Sequence, residues 1–101
     1  MSAPPYRLKF TREAAAVLDD LASKAQYAVK LKRVRKALGQ LELNPRYPAL
    51  NSHKYESLRG TNGEDVWDSY VENNTPSAWR IFWHYGPEED TLTVVTIGPH
   101  P

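Results

Sequence analysis

His53, His84 and His100 are the side chains of this sequence that titrate near neutrality, so they are its natural proton donors and acceptors. Arg80 is the one basic residue after position 60, and it stands among aromatic residues in the run Trp79-Arg80-Ile81-Phe82-Trp83. An arginine fixed on a strand can grip a phosphate through its planar fork and stabilise charge that develops during phosphoryl transfer. An ion pair with Asp68 explains the same residue equally well. Lys30, Lys32, Arg33, Arg35 and Lys36 crowd one stretch; they can hold phosphates, or simply solvate a helix face. His100 belongs to the GPHP tail, which either folds beside Arg80 or frays as a terminus. Glu88, Glu89 and Asp90 read as a solubilising hairpin tip.

Much chemistry is excluded. There is no cysteine, which removes disulfides, thiolate nucleophiles and Cys-type zinc sites and suits a reducing compartment. The histidines lack HxxxH or HExxH spacing, so no metal is expected, and no GxSxG, P-loop or GxGxxG occurs. The first residues, MSAPPYRLKF, lack the apolar run of a signal peptide, and nowhere do 18 apolar residues follow one another, which leads us to expect a cytoplasmic protein with no membrane partner. Charge is divided along the chain: residues 1 to 60 carry a formal +7 and residues 61 to 101 carry −6. A basic first half suits a polyanion or an acidic peptide as partner, although each half can also merely solvate its own surface.

The elements that must position these residues follow from periodicity. At 101 residues and 41% hydrophobic, the chain is sized for one domain with one core. Tyr6, Leu8 and Phe10 alternate with Arg7 and Lys9 as a half-buried strand does. Thr11 offers an N-cap to a helix with Ala14, Val17, Leu18 and Leu21 on one face, running to about Lys24. Tyr27, Leu31, Val34, Leu38 and Leu41 mark a second helix that Asn44-Pro45 stops, and the short link makes the pair an antiparallel hairpin. Residues 44 to 55 read as a loop. Tyr55 to Arg59 reads as a short strand, and Val66 to Glu72, Trp79 to Tyr85 and Leu92 to Ile97 as three more, joined by turns. The fold expected is α+β: an N-terminal strand, the helical hairpin, then a three- to four-stranded antiparallel meander spanning the chain as a single domain.

Alternation also assigns faces. Trp79, Ile81, Trp83 and Tyr85, with Trp67 and Val71, should lie under the helices. Arg80, Phe82, His84, Asp68, Tyr70 and Glu72 should lie on the free face.

The order of elements resembles the RelE/ParE toxin superfamily. Local matches support it along nearly the whole chain: LELNPR closing the second helix, SLRG at Ser57 to Gly60, WRIFW at Trp79, and a last strand ending in Gly98. The resemblance implies a toxin of a bacterial toxin-antitoxin pair, held inactive by an antitoxin whose acidic, partly disordered segment wraps the hairpin or covers the free face. It implies an endoribonuclease that cleaves mRNA on the ribosome without metal or cofactor, the RNA 2′-hydroxyl attacking the adjacent phosphate. Arg80 matches the arginine after an aromatic residue in RelE-like strands, implying a phosphate contact. His53 and His100 look like the two histidines of YafQ-type toxins, implying proton transfer. Tyr70 is placed to stack on a base, and Lys54, Arg59, Lys32, Arg35 and Lys36 to contact RNA. The chain carries Asp68, Tyr70 and Glu72 where RelE-type sheets present lysines. An alternative within the superfamily is a ParE-like, non-enzymatic inhibitor of DNA gyrase. A further one is a protein-interaction module without toxicity.

Overall fold

The computed structural model describes residues 4–73 and 77–99. Its first strand, β1 (Arg7–Phe10), leads straight into α1 (Arg12–Ser23), because the Thr11 hydroxyl accepts the Ala14 N–H at 3.1 Å and so caps the helix. A 3-10 turn, Ala25–Tyr27, separates α1 from α2 (Ala28–Leu43), and the two helices form the expected hairpin. Four strands follow: β2 (His53–Arg59), β3 (Asp65–Tyr70), β4 (Trp79–Tyr85) and β5 (Thr91–Pro99). No helix among the described residues is long and apolar enough to cross a membrane.

The sheet order is β1-β5-β4-β3-β2. Strands β2 to β5 form the antiparallel meander, but β1 runs parallel to β5, with Leu8 opposite Leu92 and Phe10 opposite Val94. The sheet is therefore mixed, with five strands, where an antiparallel sheet was expected. A parallel neighbour needs a long crossover, and here the hairpin and the rest of the meander supply it.

One face of the sheet carries the helices. Ala14 and Leu21 of α1, Val34, Leu38 and Leu41 of α2, and Ile81, Trp83, Leu92, Val94 and Ile97 of the sheet are all buried in this layer. Each such large apolar side chain contributes about 1.5–3 kcal/mol on leaving water. The segment after α2 is more ordered than the loop expected. It forms a 3-10 turn, Pro48–Leu50, which drives Leu50 into the core at 0% exposure, and it delivers the chain to the sheet two residues early, at His53. A hydrogen-bond chain fixes it: Trp83 Nε1 donates to Ser69 Oγ at 2.7 Å, the Ser69 and Ser52 hydroxyls meet at 2.6 Å, and Ser52 donates to the Pro45 carbonyl at 2.7 Å. Tyr85, expected under the helices, is 42% exposed. It stands edge-on to Trp83 and Trp67 at the end of the sheet.

Two irregularities decide which way side chains point. In β5, Phe82 pairs with Thr96 and Trp83 with Val94, so Val95 is an extra residue that lets both Ile97 and Val94 reach the core. The Thr11 hydroxyl donates to the Val95 carbonyl at 2.6 Å, so one side chain caps α1 and holds the bulge. After β3, the N–H groups of Val71 and Glu72 both donate to the Trp79 carbonyl, at 3.1 and 3.2 Å. Two residues thus oppose one, and Glu72 swings toward α2 instead of joining the free face as expected.

Thr11→Ala should cost about 1–2 kcal/mol in urea unfolding, since it removes both contacts, whereas Thr11→Ser should recover most of the loss. A Thr11→Ala variant as stable as the parent would show that neither contact matters.

Candidate functional site

On the face away from the helices, three strands bring His53, Asp68, Tyr70 and Arg80 together. Cross-strand pairing dictates the grouping: His53 of β2 stands opposite Asp68 of β3, and Tyr70 of β3 opposite Arg80 of β4. Asp68 was expected to lie outward, yet it is 0% exposed, its carboxylate sitting between the Arg80 guanidinium and the His53 ring. Its Oδ1 lies 3.3 Å from Arg80 Nε and its Oδ2 lies 3.5 Å from His53 Nε2. Pairing is what makes burial of this charge tolerable.

Arg80 is held on several sides. Its Nη1 donates to the Glu72 carbonyl at 2.9 Å, and its Cζ lies 3.8 Å from the centroid of the Tyr70 ring, a cation–π contact. Its side chain is 12% exposed. The remaining nitrogen, Nη2, makes no hydrogen bond among the described residues. It is the donor left for a ligand.

His53 is about half exposed and its ring is clamped at both nitrogens. Nδ1 lies 2.9 Å from the Asn51 carbonyl, and since a carbonyl can only accept, Nδ1 carries a hydrogen there. Asn51 adopts the left-handed conformation (φ 45°), which asparagine tolerates better than most residues. The ring also meets Tyr70 edge-on at 6.2 Å.

Beside the cluster runs a groove of about 390 Å³, floored by Phe82, Thr96 and Gly98 and walled by Tyr55 and Leu58 of β2. Tyr55 packs on Phe82 with ring centroids 5.0 Å apart, which leaves Phe82 4% exposed although the free face was expected to display it. Gly98 stands opposite Arg80, and a Cβ there would meet nothing within 4 Å, so the groove is open at this point.

His84 was grouped with the free-face set, but it is buried at the other end of that face. The Gly60 turn covers it. A Cβ on Gly60 would press on the Glu64 carboxylate and lie 3.0 Å from the His84 ring, so the glycine of the SLRG run lets the turn close over both side chains. Glu64 is held below the usual carboxylate range by its own and the Asn62 backbone N–H groups, with His84 a smaller contribution.

The other expected site residues fall elsewhere. Lys54 projects to the opposite face from His53 and pairs with Asp65 at 3.3 Å; Arg59, at the far end of β2, pairs with the same carboxylate. The two cations hold the Asp65 carboxyl below its ordinary value, Lys54 more than Arg59. Lys32, Arg35 and Lys36 are exposed on α2, across the sheet from the cluster. His100 lies outside the described residues. No group of three or more His, Asp or Glu able to hold a metal occurs among the described residues.

Glu72, which alternation turned outward, instead locks the strand end to α2. Its Oε1 lies 2.8 Å from Lys30 Nζ and accepts the Trp79 N–H at 3.2 Å, and its Oε2 lies 3.1 Å from Arg33 Nη1. Burial alone pushes its carboxyl up, but Lys30, the Trp79 N–H and Arg33 outweigh this, so the net shift is downward.

No family model matches the sequence, nor does any curated protein. The fold does have solved relatives. RelE of the RelE–RelB complex from Pyrococcus horikoshii OT3 superposes with a TM-score of 0.64 at 17% identity, covering 94% of each chain. A YoeB/ParE toxin from Agrobacterium tumefaciens gives 0.68 at 12% identity, covering 94% of this chain and 99% of that one. YafQ from E. coli strain BL21(DE3) gives 0.60 at 14%, covering 94% and 93%. The chain has the fold that these three structures share.

Two outcomes follow for the charges. Asp68→Ala, which strands Arg80, should destabilise by about 3 kcal/mol, while replacing both partners by Asp68→Leu and Arg80→Met should restore much of that; equal stability of Asp68→Ala and the parent in denaturant unfolding would remove the central role of Asp68. Because the folded Glu72 carboxyl titrates below its ordinary value of 4.5, its stabilising effect is present above that pH and is lost as pH falls through the folded value. The stability gap between the parent and Glu72→Gln should therefore shrink in acid; a gap that does not change with pH would contradict the ion-pair account.

Proposed function

We propose that this chain is the toxin of a toxin-antitoxin pair and an endoribonuclease that cleaves mRNA at the ribosome, in the cytoplasm. The observation that carries this reading is the cluster of Arg80, His53 and Tyr70 around Asp68 on the open sheet face, beside a groove. The likeness to a structure named as a YoeB/ParE toxin supports it, and RelE from P. horikoshii was solved in complex with RelB, which supports a protein antitoxin as the partner.

In this reading RNA supplies its own nucleophile. A base removes the proton of the 2′-hydroxyl, the oxygen bonds to the adjacent phosphorus, and the bond to the 5′-oxygen breaks, leaving a cyclic phosphate and, after protonation, a 5′-hydroxyl. No metal is needed, since positioned donors can stabilise the charge on phosphorus. Arg80 would supply that donor through Nη2, held in place by Asp68 and the Glu72 carbonyl. His53 would take or give a proton on releasing either Asp68 or the Asn51 carbonyl. His100 follows Pro99, which pairs with Trp79 next to Arg80, and would be the second proton carrier.

A second reading is a non-enzymatic, ParE-like protein binder acting on a target such as DNA gyrase. The neutralisation of Arg80 by Asp68 favours it, because a binder needs no free phosphate donor. Ribosome-dependent cleavage of an mRNA separates the two. Under the nuclease reading Arg80→Ala lowers the cleavage rate on the order of a hundredfold or more. Equal rates for Arg80→Ala and the parent would overturn the assignment of Arg80. Intact mRNA together with blocked supercoiling would establish the second reading.

A further inference from the structure

Where α2 passes the end of β3, two depressions of about 360 and 260 Å³ adjoin. Arg33, Ala49 and Val71 line both, so they form one continuous groove. Tyr70, which carries Arg80 on its ring, stands at one end, and Lys36 and Gln40 stand at the other. The groove thus leads from the cluster on the open face, around the strand end, onto the basic side of the helix layer.

Its charges are arranged to change partners. Glu72 binds both Lys30 and Arg33, but the two are unequal. The Lys30 side chain is 26% exposed and its ammonium also sits 4.7 Å from the Trp79 ring centroid, whereas Arg33 is 58% exposed on the rim. If Arg33 turns to another anion, Glu72 keeps Lys30 and the Trp79 N–H, so no carboxylate is left stranded. Lys36 has no ion-pair partner among the described residues.

We propose that this groove is the track by which the backbone of a single-stranded RNA leaves the cluster, with phosphates on Arg33 and Lys36 and Arg33 exchanging Glu72 for the RNA. This rests on the RNA reading of the cluster. A duplex does not suit the route, because its stacked bases cannot splay out beside Tyr70.

Fluorescence anisotropy with a short fluorescein-labelled oligouridylate, titrated at several salt concentrations, tests the track. Arg33→Gln and Lys36→Gln should each weaken binding about 3- to 10-fold and lower the salt slope by about one, while Arg12→Gln on α1 should change neither beyond the general charge effect. Glu72→Gln should tighten binding, because Arg33 is then free; Lys36→Gln, a change at an exposed helix position, carries the test even if that variant is unstable. Binding by the parent that Arg33→Gln and Lys36→Gln weaken no more than Arg12→Gln does would overturn the track and leave the RNA reading standing. No binding by the parent, even at low salt, would also overturn the track, while the ribosome-dependent cleavage assay decides the RNA reading separately.

Discussion

A carboxylate with no access to water sits inside the open face of this sheet, and the site is arranged around the need to pair it. Asp68 has a side-chain nitrogen facing each oxygen, and each of those side chains is tied in turn to a backbone carbonyl, Arg80 to that of Glu72 and His53 to that of Asn51. Losing either partner would leave charge stranded in a low-dielectric setting, so the three side chains are fixed as a unit. The arrangement orients Arg80 but also cancels most of its charge. Both functional readings turn on that balance: a held arginine makes a sharper phosphate contact, and a neutralised one makes a weaker one.

Side-chain direction in the sheet comes from alternation corrected at two places. The extra residue Val95 in β5 keeps the apolar side chains on both sides of it pointing at the helices, and Thr11 anchors that bulge to the start of α1. The doubled pairing of Val71 and Glu72 with Trp79 turns a carboxylate away from Asp68, where it would have repelled it, and toward Lys30 and Arg33. Each irregularity therefore places a polar group where it finds a partner.

The sequence makes the regular parts legible. The steps of three and four in Val34, Leu38 and Leu41, the Thr11 cap and the alternation of Trp79 to Tyr85 are local signals, and the structure follows them closely. What local signals lack is information on distant pairing. Nothing near Arg7 to Phe10 says that its neighbour is β5 in parallel. Nothing in the Pro- and Asn-rich stretch after α2 says that Leu50 is buried, so the arrival of His53 in the sheet opposite Asp68 could not be read, although the pairing of Asp68 with Arg80 could. The burial of Phe82 and His84 has the same origin, since it depends on Tyr55 and on the Gly60 turn folding back over the face.

The parallel seam between β1 and β5 also bears on how the chain reaches its native state. Thr11 and the Val95 carbonyl that it holds are 84 positions apart, and β5 is an interior strand that supplies Leu92, Val94 and Ile97 to the core. Contacts of such long span are slow to form, because loop closure must be met before they stabilise anything. On a ribosome, α1 and α2 emerge long before β5 and have no complete sheet to pack on. Arg80 likewise lacks its β5 neighbour until then. The domain stays unfinished, and its site unassembled, until β5 has been synthesised.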